Sequence, residues 1–310
     1  MSSVSVASNF RSDPRPYRAK WWISSAGYEW KDDLEASESQ VQFFPNWDHG
    51  SGFAKVNKPR SFFPSETGPW LIAKSEPSVL DEHFHEYDPM TVPGLHRILA
   101  ELNPSKEPIL EFVSRYGFCG SITTRLRAKG TSETDDFFGE SLKQWLVVCG
   151  SISSLVRLWD LARMRPAAAY RDLSKILELR GSEYSWTPDS PDDEAVRIMR
   201  PLLPPNLDEA SELSLLAKHT LQLMLNFNLG SSTVPFVEVR PGSQIRLQPK
   251  NLGGAIYLHL ALEVMGKSVP AERCQACGRW FIPKHGSQIY CRPECKFKGY
   301  RQRKKENSNG

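Results

Sequence analysis

Four cysteines, Cys274, Cys277, Cys291 and Cys295, are the side chains whose type and spacing most directly imply chemistry. Two stand as Cys-x2-Cys and two as Cys-x3-Cys, with thirteen residues between the pairs. Zinc takes four thiolates or imidazoles at tetrahedral corners, and such closely paired cysteines supply two sulfurs from each side. Gly278 follows the second cysteine, where a tight knuckle favours a residue tolerant of positive φ. Cys291 and Cys295 lie four positions apart, so the first turn of a helix would put both on one face. Pro293 and Glu294 suit that helix start. Four thiolates close the tetrahedron and leave no place for a reacting water, so one structural Zn2+ is expected. Four unligated or redox-active thiols are the competing reading. His285 could substitute as a ligand, but it falls at the tip of the turn Pro283–Ser287.

The helix that follows reads Lys296-Phe297-Lys298-Gly299-Tyr300-Arg301-Gln302-Arg303-Lys304-Lys305, six cations in ten residues. Lys298, Arg301 and Lys305 fall on one stripe, and Lys296 and Arg303 on another. Phe297 and Tyr300 are expected to pack back with Trp280. Charge divides accordingly. Residues 273–310 hold 10 Lys/Arg and 2 Glu, a net +8, whereas residues 1–272 hold 29 basic and 34 acidic residues, a net −5. A basic segment on an acidic body suggests a polyanion contact through Lys296, Lys298, Arg301, Arg303, Lys304 and Lys305. The bland alternative is a solvated basic terminus that offsets the thiolate charge.

The elements that must position this module are mixed. Residues 1–90 are rich in Pro, Ser and aromatics and read as an irregular region with short strands at Lys20–Ser24 and Trp70–Lys74. About the first 15 residues are expected to be unstructured. Its tryptophans read as packing residues rather than a ligand platform. Residues 91–272 read as a mainly helical body. Helices are expected over Lys106–Tyr116, Ser141–Arg163 (with a weak point at Gly150), Ala167–Arg180, from Pro191, over Asp208–Leu229 and over Asn251–Met265. A hairpin is expected at Pro235–Arg240 and Gln244–Gln248. Within residues 273–310, Trp280–Ile282 and Gln288–Tyr290 read as paired strands. The fold class is therefore mainly α (α+β), with a C-terminal treble-clef-like module. Only seven residues, Lys267–Arg273, separate the last body helix from the first zinc cysteine, so the finger should sit near the body.

Cys-x2-Cys-Gly-x-x-Phe, a hairpin, Tyr-Cys-x3-Cys and a basic helix together resemble the bacterial CGNR zinc-finger proteins. The helical stretches Phe112–Phe118 and Glu140–Ala162 are loosely similar to the bodies of that family. Cys295 is followed by Lys-Phe-Lys where the family carries Gly-Asn-Arg. The resemblance implies a finger at the end of a helical domain and a role in transcription regulation.

Elsewhere, Asp81–Asp88 gathers His83, His85 and four carboxylates, which reads as a polar surface segment. His259 reads as a core histidine, and Cys119 and Cys149 as buried thiols. No phosphate-binding glycine loop, nucleophile elbow or dinucleotide fingerprint occurs, so an enzyme is not expected. Neither a secretion signal nor an apolar run of membrane-helix length is read, which points to the cytoplasm and no membrane partner. The expected function is nucleic-acid binding, to DNA rather than RNA, with the body forming oligomers or sensing a small molecule of unspecified chemistry. The rivals are a protein-binding scaffold and an enzyme with its site in the N-terminal region.

Overall fold

The computed structural model describes residues 21–45, 53–58, 68–74, 84–120, 124–128, 137–188, 195–237 and 245–306. The expectation for the first 15 residues lies outside them. The N-terminal region contributes β1 (Trp21–Ser24), β2 (Tyr28–Lys31), β3 (Leu34–Pro45), β4 (Phe53–Lys58), β5 (Trp70–Ala73) and β6 (Phe84–Tyr87). A 3-10 turn at Pro89–Thr91 leads into α1 (Leu95–Ala100) and α2 (Lys106–Tyr116), and then come β7 (Thr124–Ala128) and β8 (Phe137–Ser141). β1 pairs with β6, and the other six strands form one antiparallel sheet in the order β2-β5-β8-β7-β3-β4. The division expected at residue 90 runs through this sheet, because β7 and β8 pair with β3 and β5. The described tryptophans do pack: Trp21 and Trp70 are buried, and Trp22 and Trp30 lie against the core. Trp21 and Trp30 donate their indole N–H groups to the carbonyls of Phe118 and Lys106, tying β1 to the segment just after α2 and β2 to the start of α2.

The longer helices begin at α3 (Leu142–Ala162). Ser141 and Gln144 form a reciprocal capping box there, each side chain accepting from the other's backbone N–H. Gly150 causes no break in α3. α4 (Pro166–Ile176), β9 (Leu177–Arg180), β10 (Glu183–Trp186) and β11 (Val196–Met199) follow. The helix expected to run to Arg180 therefore stops four residues early. Leu177 and Leu179 alternate with polar residues as a strand does, and Gly181 at φ +63° starts a two-residue hairpin turn to β10. The helix start expected at Pro191 lies outside the described residues, and beyond them Val196–Met199 is a strand that pairs with β10.

α5 (Glu209–Ser232) is capped by Asp208 and passes through Gly230 to end two residues later. Leu213, Leu216 and Leu221 are buried, Met224 is partly buried, and Phe227 is exposed. β12 (Thr233–Val237) and β13 (Ile245–Pro249) form the expected hairpin. α6 (Leu252–Val264), capped by Asn251, is buried almost all round, as a central helix must be. Cys119 and Cys149 are buried thiols, and burial pushes Cys149 up to about 12. Among the described residues, α3 is long and apolar enough to cross a membrane by length and composition. Half of that stretch is buried within the protein, where Trp145, Ile152 and Leu155 join the main core. The fold is thus mixed α+β, with several small antiparallel sheets around a helical core.

Candidate metal centre and basic helix

The chain leaves α6 at Gly266 and enters β14 (Glu272–Arg273), which pairs with β15 (Trp280–Phe281). This corrects the expected hairpin. β15 pairs with the residues just before Cys274, while Gln288–Tyr290 is not a strand. The second segment meets the knuckle through a backbone bond, Gln275 N–H to Ile289 O at 3.1 Å. Both arrangements return the chain to the first cysteine pair. The observed one does so with strands of two residues, because the knuckle itself sits between them. The knuckle is as expected: Gly278, at φ +69°, donates its N–H to the carbonyl of Cys274 at 2.9 Å.

The four cysteines converge, with ligand atoms all within 4.8 Å of one another. Sγ of Cys291 lies 3.6 Å from those of Cys277 and Cys295. A tetrathiolate ion with metal–sulfur bonds of about 2.3 Å has S···S edges of about 3.8 Å, so the donor set fits such an ion. A disulfide would need about 2.05 Å. Burial opposes ionisation of Cys274, but N–H groups of Cys291, Ala276 and Cys277 directed at its sulfur hold the thiol down to about 6. Burial and neighbouring sulfurs push Cys291 up to about 12. Crowded thiols of this kind lose their protons together only when a cation takes their charge. His285 is exposed and hydrogen-bonds Ser287.

α7 (Pro293–Glu306) carries all six expected cations. Lys296, Lys298 and Arg301 are exposed, while the side chains of Arg303, Lys304 and Lys305 lie outside the described residues. The aromatics are not where the sequence reading put them. Phe297 is 66% and Tyr300 64% exposed, turned away from the finger. Their expected place is taken by Tyr290: a Cβ on Gly299 would come within 2.5 Å of its hydroxyl, so the absent side chain is what admits the ring against α7. Cys295 and Gly299 thus form the helix's inner face.

The finger docks on the body. Trp280 donates its indole N–H to Glu101 at 3.3 Å, Arg273 pairs with the same carboxylate at 3.4 Å, and the Arg97 guanidinium lies 5.5 Å from the Trp280 ring centroid. Arg97 is itself buried. It makes two bonds to Asp160, at 3.0 and 3.1 Å, and one to Glu263. Glu263 also accepts from Trp159 at 3.2 Å and meets His96 Nε2 at 3.0 Å. Sequence reasoning missed this cluster. Its signal was available: Glu263 is the one acidic or basic side chain in the apolar helix α6, histidine aside. His259 is a satisfied histidine, bonded to the Pro89 carbonyl and pushed down to about 4 by burial, and is therefore neutral at neutral pH.

Gly94 marks the seam. It sits at φ +64°, and a Cβ there would lie 3.1 Å from Ala271 and from Trp280. Gly94→Ala should cost roughly 1–3 kcal/mol, from left-handed strain plus a displaced finger. Thermal unfolding of the zinc-loaded chain checks this; an unchanged midpoint would mean that the seam does not close at Gly94.

Comparison of the chain with family models, with curated proteins and with solved structures gives no match.

Proposed function

We propose that this chain binds nucleic acid through a zinc-stabilised finger whose helix α7 meets phosphates, the helical body fixing the finger's orientation. The resemblance to bacterial CGNR-type proteins extends this reading to transcription regulation. One observation carries it: a segment of net +8 on a body of net −5 has Lys296, Lys298 and Arg301 exposed on a helix whose inner face carries Cys295 of the cysteine cluster. Zinc fits the four-thiolate donor set best and acts structurally, since no coordination position is left for water. The second reading, a finger that binds protein, is favoured by the exposure of Ile282 (53%) and Ile289 (40%).

Salt dependence separates the two. If about four to five cations neutralise phosphates, log affinity for duplex DNA should fall against log salt with a slope near −4, and for a single strand near −3. Replacing Lys298 and Arg301 together with Ala should flatten the duplex slope by about 2 at unchanged zinc content. Equal affinity and slope for parent and double variant, on DNA and RNA alike, would discard the nucleic-acid reading.

A further inference from the structure

α7 presents more than charge. At about 100° per residue, Phe297 lies nearly opposite the midpoint between Cys295 and Gly299, the two buried positions of this helix's described part. Tyr300 and Arg301 flank it one turn on, and Lys296 and Lys298 occupy the two sides. The outward face is therefore an aromatic centre with a cationic margin.

Two aromatic side chains left about two-thirds exposed are not held there by folding, because Tyr290 and Phe281 already complete the small core around the cysteines. A purely phosphate-binding helix has no use for them either, since its affinity comes from Lys and Arg and is indifferent to rings. In duplex nucleic acid the bases are stacked on one another, and their faces are closed to a side chain. Unpaired bases offer those faces, and rings interleaved with cations are the arrangement that takes them: stacking for the bases, charge for the backbone. Phe297 and Tyr300, three positions apart, stand about 5–6 Å from one another at their Cβ atoms by helix geometry, a spacing that suits neighbouring splayed bases.

We infer that the outward face of α7, with Phe297 and Tyr300 as stacking platforms between Lys296, Lys298 and Arg301, recognises single-stranded nucleic acid in preference to duplex. This rests on the nucleic-acid reading above and narrows its ligand class. The strand's sugar is left to the experiment, because stacking and charge serve DNA and RNA alike.

Fluorescence anisotropy with the full zinc-loaded chain tests it. The probes are a mixed-sequence 15-nucleotide DNA, the RNA of the same sequence, and the 15-base-pair DNA duplex, all at one salt concentration. At least one single strand should bind about tenfold or more tighter than the duplex. Changing Phe297→Leu and Tyr300→Leu together should weaken that strand by about tenfold or more and leave duplex affinity unchanged. Leucine preserves apolar area, so a loss here reports stacking rather than apolar contact. Both positions are exposed, and unchanged zinc content and thermal midpoint verify the fold. Duplex binding as tight as either strand, or full affinity in the leucine variant, overturns the inference while leaving a nucleic-acid protein. Failure of all three probes to bind overturns both.

Discussion

Chelating the metal from the full chain should unfold residues 273–302 while the body keeps its structure. The finger's own core is Cys274, Phe281 and Cys295, with Ala276, Cys277, Tyr290 and Cys291 packed at its edge. Four of those seven are the thiols themselves, so little apolar area remains once the metal is gone. A module of this size folds on ~10–16 kcal/mol of apparent zinc-binding free energy, far more than such a core provides. The body has a separate and much larger core, in which Trp145, Ile152, Leu216, Ile256 and Leu260 are all buried. Hydrogen exchange before and after chelation reads the result. Amides of 273–302 should lose protection by orders of magnitude, those of α3, α5 and α6 should not, and Gly94–Leu102 should fall between because Ala271 and Trp280 no longer cover it. Cys295→Ser should give the same pattern without chelator. Retained protection in a zinc-free finger would contradict a metal-dependent fold.

What the sequence made legible was local. Cysteine spacing located the cluster that could hold a metal, and Gly117, Gly266 and Gly278, all at positive φ, stand where helix ends or a knuckle were expected. Ser141, Asp208 and Asn251, the first residues of three expected helices, are their N-caps. What escaped depends on partners distant in sequence. β3 and β7 pair Leu34 with Ala128, and nothing near either residue announces the other. At Leu177–Arg180 the apolar residues suited a continued helix equally well, and pairing with β10 decided for a strand. Phe297 and Tyr300 were placed inward because aromatics usually bury. Cys295 and Gly299 face inward, with Tyr290 filling the space beside Gly299, so the helical phase turns Phe297 and Tyr300 outward. The buried Arg97 could not be recognised as paired, because Glu263 lies 166 positions away.

That pair gives the other large expected effect. Glu263→Gln should destabilise the chain by about 3–5 kcal/mol, since it leaves a buried guanidinium and a buried imidazole facing a neutral amide. Asp160 cannot compensate fully: its side chain is 38% exposed and also pairs with Arg163. Burial pushes the Glu263 carboxyl up, but hydrogen bonds from His96 and Arg97 and the guanidinium charge prevail and hold it at about 2. The sign follows. Its folded value lies below the unfolded one of about 4.5, so the stabilisation is fully present above about 4.5 and is lost as pH falls towards about 2. Between those limits the parent should therefore lose stability more steeply than the glutamine variant, and the two urea-unfolding profiles should converge in acid. A second variant tests whether the loss is one of pairing. Arg97→Met combined with Glu263→Leu removes both charges at similar volume, and should recover part of the stability lost by Glu263→Gln alone, because no buried guanidinium is then left without its carboxylate, while His96 and the Trp159 indole N–H still lack their acceptor. It also removes the cation 5.5 Å from the Trp280 ring, so finger amides in the double variant should exchange faster than in the parent even where global stability is regained. A single substitution costing under about 1 kcal/mol would mean that water reaches Glu263, and that the finger rests on the body without the buried ion pair beneath it.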